Sequence, residues 1–102
     1  MSLKKQYLKG NDRCKVTFRL PKAAAPGAET VHIVGEFNHW STVESPMQRL
    51  KNGEFKAVVD LTTGRAYQFR YLIDQTLWEN DWEADRYAKS DYGNCENSVV
   101  DL

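Results

Sequence analysis

From Cys14 to Leu20 the side chains alternate without a break. Cys14, Val16, Phe18 and Leu20 are apolar, and Lys15, Thr17 and Arg19 between them are polar. A strand sends successive side chains to opposite faces, so this pattern predicts a strand buried on one side. Pro21 and the run AAAPG end it; three alanines between prolines are too few for a helix and predict a loop. Val31 and Ile33 begin a second strand, broken at Gly35 ahead of EFNHW. A short strand around residues 47–50 leads into Asn52-Gly53, the commonest two-residue signal for a type I′ hairpin. The return strand EFKAVVDL presents Phe55, Ala57, Val59 and Leu61 to one side. After a turn at Thr63-Gly64, AYQFRYLID sets Tyr67, Phe69, Tyr71 and Ile73 against Gln68, Arg70 and Leu72. A brief segment around Leu77-Trp78 and a last strand in NSVVDL, after Gly93, complete the series. No stretch carries a useful helical period. Short strands at turn-marked intervals predict an all-β antiparallel sandwich. The N-terminus and residues 21–29 are the loose regions, so residues 13–102 read as the domain and 1–12 as an N-terminal extension.

Composition narrows the choices. A chain of 102 residues has room for one core and one domain. Lys plus Arg equals Asp plus Glu at 14 each, which weighs against nucleic acid or an anionic membrane as partner. Lys4, Lys5 and Lys9 read as a solvated terminus rather than a binding arm. No apolar run reaches membrane-spanning length and residues 1–10 do not resemble a secretory signal, so the expectation is a soluble, cytoplasmic protein. Cys14 and Cys95 form no CxxC pair, which points away from zinc and thioredoxin chemistry. Two reduced thiols are the plainer reading in a cytosol, with one long-range disulfide as the alternative.

The aromatic residues are the informative feature. Trp40 lies in GEFNHWS just past a strand, and Trp78 and Trp82 fall in a second loop-rich region. A β-sandwich commonly buries one tryptophan in its core. Three of them outside the clean alternation imply that at least one is exposed, where an indole offers a platform for the apolar face of a sugar. Gln68 and Arg70 sit side by side on the outer face of their strand, as ordinary polar surface or as hydrogen-bonding partners of a ligand.

Catalytic readings have less behind them. Glu79, Asp81, Glu83 and Asp85 supply carboxylates, but at alternate positions on what reads as an exposed loop, without the burial that tunes a glycosidase acid. His32 and His39 fall in a strand and a loop and do not suggest a metal pair. The acidic run misses the calcium-loop spacing. The chain therefore reads as a non-enzyme without metal or cofactor.

Four blocks together, VHIVGEFNHWS, KNGEFKAVVDL, YQFRYLIDQTLW and GNCENSVV, resemble the glycogen-binding carbohydrate-binding module. That module occurs at the N-terminus of isoamylases and glycogen branching enzymes and in the β subunit of AMP-activated protein kinase. The similarity runs from about Cys14 to Leu102. It implies an immunoglobulin-like early-set antiparallel β-sandwich that binds α-1,4-glucans such as glycogen, starch or malto-oligosaccharides. It also implies a role in targeting or regulating a partner, a glycogen-metabolising enzyme or a kinase. By the same resemblance Trp40 and Trp78 would stack on glucose units and Arg70, with Gln68 beside it, would bind hydroxyls. Asn94 and Asn97 are candidates in the loop before the last strand, and Tyr92 a possible added stacking residue. Asn38 reads instead as a turn stabiliser, because asparagine side chains bond their own backbone. The chain departs from the family at Asp74-Gln75-Thr76-Leu77-Trp78, which lacks the usual glycine. Two alternatives remain: an early-set protein–protein interaction domain without sugar binding, and an accessory domain of a separately encoded glucan-active enzyme.

Overall fold

The computed structural model describes residues 3–10, 12–90 and 95–102. Two antiparallel sheets face each other. In one, β1 (Leu3–Tyr7), β2 (Arg13–Leu20), β5 (Phe55–Thr62) and β4 (Gln48–Arg49) lie in the order β1-β2-β5-β4. In the other, β3 (Val31–Gly35), β6 (Ala66–Ile73), β9 (Glu96–Asp101) and β8 (Arg86–Lys89) lie in the order β3-β6-β9-β8, and β7 (Leu77–Glu79) also pairs with β6. This is the all-β antiparallel sandwich that the alternation predicted. The inward sides of β2 and β6 form the centre of the core: Cys14, Val16, Phe18 and Leu20 from one sheet, Tyr67, Phe69, Tyr71 and Ile73 from the other. Phe18 meets Phe69 edge-on across the interface, with ring centroids 5.0 Å apart.

Several local expectations are corrected. The N-terminal segment is not loose: Leu3–Tyr7 pairs along β2 from Leu3–Phe18 to Tyr7–Cys14, and Leu3 is buried in the core. A second strand, β8, was not foreseen. The hairpin at Asn52-Gly53 forms, but not as type I′, which needs positive φ at both central residues. Here Gly53 alone of the two is left-handed, at φ 90°, and its N–H donates to the Leu50 carbonyl. Lys51, Asn52 and Gly53 thus make a three-residue loop, a turn followed by a left-handed glycine. Cys14 is sealed in the core while Cys95 is exposed, and both are free thiols.

The acidic stretch is also not wholly solvated. Asp81 is 1% exposed, and its carboxylate accepts the Tyr71 hydroxyl at 2.7 Å and the Glu83 N–H at 2.8 Å. The Asp81 N–H donates to Ser98 Oγ, which donates to Asn80 Oδ1. Burial first, then the neighbouring Asp81 charge, push the Tyr71 hydroxyl well above the ordinary tyrosine range. This network ties the segment after β7 to β6 and β9, so Asp81 serves as a structural anchor.

Candidate functional site

The outer face of the β3-β6-β9 sheet is shaped by how β6 shares its edges. Along one edge it pairs with β3, which sets Val34 opposite Arg70 and His32 opposite Leu72. Along the other, β9 covers Ala66–Phe69 and β7 covers Tyr71–Ile73. Arg70 falls at the join between the two. One step beyond the last paired rung, Phe69–Ser98, its side chain meets that of Asn97. Arg70 Nε donates to Asn97 Oδ1 at 2.6 Å, and Asn97 Nδ2 donates to Gln68 Oε1 at 2.9 Å. The asparagine is 6% exposed and links the two outward residues of β6 into one hydrogen-bonded row. Asn97 therefore belongs to β9, not to the loop before it. Asn94 and Tyr92 lie outside the described residues.

Trp40 reaches the same face from the connection after β3. The block Gly35-Glu36-Phe37-Asn38 folds as a single 3₁₀ turn over Glu36–Asn38. Phe37 turns inward against Phe18 and Tyr67. Asn38 is buried; its Oδ1 accepts the Gly35 N–H, and its Nδ2 donates to the Ile33 carbonyl and Ser45 Oγ. That is the turn-stabilising role read from the sequence. His39 and Trp40 then both take left-handed backbone, at φ 57° and 58°, and the Trp40 N–H donates to the Gly35 carbonyl at 2.8 Å. Ser41 closes the loop by accepting the N–H groups of Val43 and Glu44 at its Oγ. The chain thus reverses tightly, with the phenylalanine on the core side and the tryptophan on the solvent side.

Trp78 comes from β7, directly opposite Leu72. Trp40 is 40% exposed and Trp78 49%. Both line one cavity of about 620 Å³, together with Val34, Gln68, Arg70 and Asn97. Glu36, His39 and Thr42 also line it and were not foreseen. Their signal lay in the GEFNHWS block and its sequel, but only the folded loop shows which side they face. The Glu36 carboxylate accepts the Gln68 N–H at 2.7 Å, holding the start of the turn to β6. Trp82 is 54% exposed but is not part of this lining. Two part-exposed indoles and a row of amide and guanidinium groups lining one cavity suit a ligand with apolar faces and a hydroxyl-bearing rim. Among the described residues, no group of three or more His, Cys, Asp or Glu side chains is placed to hold a metal ion, and no helix is long and apolar enough to cross a membrane.

Comparison with known proteins adds a family. The profile described as carbohydrate-binding module 48 (isoamylase N-terminal domain) matches residues 10–88. A 1,4-alpha-glucan branching enzyme of Photobacterium profundum is 44% identical over 80 residues, covering 76% of this chain and 11% of that protein. A 1,4-alpha-glucan branching enzyme of Synechococcus sp. is 36% identical over 70 residues, covering 68% of this chain and 8% of that protein. The chain spans about a tenth of the length of these curated relatives.

Proposed function

The chain belongs to the carbohydrate-binding module 48 family, and from that premise we propose that it binds α-1,4-glucans, as a non-catalytic module, on the face that carries Trp40 and Trp78. One observation carries the reading: two part-exposed indoles and the Arg70–Asn97–Gln68 row line a single cavity. Indole faces pack against the C–H faces of glucose units, and the polar row hydrogen-bonds their hydroxyls. Binding rather than hydrolysis is favoured because cleavage needs two opposed carboxylates. Among the described residues lining the cavity Glu36 alone is acidic, and it is engaged with the Gln68 N–H. The relatives act on 1,4-alpha-glucan by name, which supports the ligand class. In this reading the module works as a stand-alone targeting or regulatory domain in the cytoplasm, holding a glycogen-metabolising partner to its polymer.

Calorimetric titration with maltoheptaose tests it. A shallow site with few anchors should give a dissociation constant on the order of micromolar to millimolar. Trp40→Ala should weaken binding by about 2 kcal/mol, roughly 30-fold. Cellohexaose, with flat alternating rings, should bind much less well. Equal affinity for both sugars, or an undiminished Trp40→Ala, would overturn the assignment.

A further inference from the structure

The turn between β6 and β7 holds two consecutive left-handed residues, Asp74 at φ 50° and Gln75 at φ 59°. It is closed by the Thr76 N–H donating to the Ile73 carbonyl at 3.0 Å. Left-handed backbone suits glycine and is tolerated by aspartate; a long side chain there is strained and persists only where its surroundings hold it. Asp74 is held by the N–H groups of Glu29 and Thr30, both 2.9 Å from its Oδ1. Gln75 is held differently. Its Nε2 donates to the Thr42 carbonyl at 2.8 Å and lies 3.1 Å from His32 Nδ1. A carbonyl only accepts, so the amide nitrogen faces it, and the second hydrogen of that nitrogen is left for an unprotonated Nδ1.

The partners give this contact its meaning. Thr42 lies two residues past Trp40 and lines the same cavity. Gln75 lies three residues before Trp78, in the hairpin that presents it. His32 pairs with Leu72, which pairs in turn with Trp78. The Trp40 loop is anchored at its root through Gly35 and Asn38, whereas Gln75 ties it laterally to the neighbouring hairpin. We propose that Gln75 is a positioning residue that fixes the separation of the Trp40 and Trp78 walls, its strained backbone retained because a glycine could not bridge them. The inference takes its ligand from the α-glucan reading, but the bridge itself is a property of the free protein.

Two variants separate the effects. Gln75→Gly relieves the backbone and removes the bridge. Its melting temperature should stay level or rise by a few degrees, while maltoheptaose affinity falls roughly 5- to 10-fold through lost preorganisation. Gln75→Glu keeps the length and the strain but sets a carboxylate oxygen against the Thr42 carbonyl; it should lose similar affinity with no gain in melting temperature. In the free protein, amide hydrogen exchange at Val43 and Glu44 should accelerate in both variants. A Gln75→Gly protein that loses affinity while Val43 and Glu44 keep wild-type exchange would make Gln75 a plain turn residue and overturn the proposal. Wild-type affinity in both variants would also overturn it. If the wild type does not bind maltoheptaose, the ligand reading falls and exchange alone decides: acceleration supports the bridge, and wild-type rates refute it.

Discussion

Replacing Gly35 with alanine adds one methyl group where the end of β3 lies tight against β6 and against Phe37 of the turn that follows. An ideal Cβ there would lie 2.7 Å from the Gln68 carbonyl oxygen, 2.8 Å from Phe69 Cβ and 2.9 Å from Phe37 Cε2, against 3.4 Å for ordinary contact. The backbone at Gly35 is extended, with φ −164°, so alanine suffers no torsional penalty and the conflict is purely steric. Two of the three obstacles are backbone or Cβ atoms of β6 and cannot rotate away. The end of β3 must therefore draw back, and overpacking of this kind costs about 1–3 kcal/mol. Alanine also stiffens the unfolded chain, which returns about 0.4–1 kcal/mol. With backbone on the receiving side the net loss should be about 2 kcal/mol, or roughly 8–16 °C in melting temperature for a domain of this size. Sugar affinity should fall as well, since Gly35 donates to Asn38 and accepts the Trp40 N–H. Urea unfolding followed by far-ultraviolet circular dichroism would measure the stability. Adding Phe37→Leu removes one of the three conflicts and should restore little, because the Gln68 carbonyl remains. A Gly35→Ala protein within 0.5 kcal/mol of wild type, or one rescued by Phe37→Leu, would refute the close-approach argument.

Asn97→Ala breaks the row between Arg70 and Gln68. Maltoheptaose affinity should drop roughly 5- to 10-fold, with about 1–2 kcal/mol of folding stability lost in a parallel urea series. Arg70→Ala should weaken sugar binding similarly with less effect on the fold, because the arginine is on the outer face and only part-buried. Tyr71→Phe leaves the buried Asp81 carboxylate short of a donor and should cost about 1–3 kcal/mol. The Tyr71 hydroxyl titrates higher folded than unfolded. Its contribution is therefore whole below about pH 10 and is lost as pH rises from there, so a Tyr71→Phe protein should show a shallower alkaline loss of stability in pH-resolved melts.

The parts of the fold legible in the sequence were those whose burial alternates cleanly. Cys14–Leu20 and Tyr67–Ile73 announced both their strands and their inner faces, because buried and more open positions alternate along β2 and, as far as Tyr71, along β6; only the outward Leu72 is buried as well. β1 was not legible: in LKKQY only Leu3 is buried, and its register depends on β2. β8 is four residues with one half-buried alanine between exposed neighbours, too short to show a period. Gly35 looked like a strand breaker but is itself paired in β3, opposite Phe69; its glycine answers a contact with β6 that no local pattern encodes. The candidate site divides the same way. The outward side of Gln68 and Arg70 follows from alternation. That Asn97 joins them, and that Trp78 lines the same cavity as Trp40, follows from β9 and β7 dividing one edge of β6, which is long-range pairing.

The margins of the two sheets have a consequence of their own. An open strand edge is a template for another chain, and long, flat, uncharged margins invite amyloid-like polymerisation. On the β1 side the margin carries Lys4 and Lys5, and on the β4 side it is two residues long and ends in Arg49. The margin of β3 is capped by Ser45–Met47, through the Ile33 N–H to the Ser45 carbonyl and the Met47 N–H to the Val31 carbonyl. Two margins remain: β7, three residues long and ending in a glutamate, and β8, which starts with an arginine and ends with a lysine. Among the described residues each border is charged, brief or covered, so a domain whose two layers are both sheets should stay dispersed at high concentration instead of stacking sheet onto sheet.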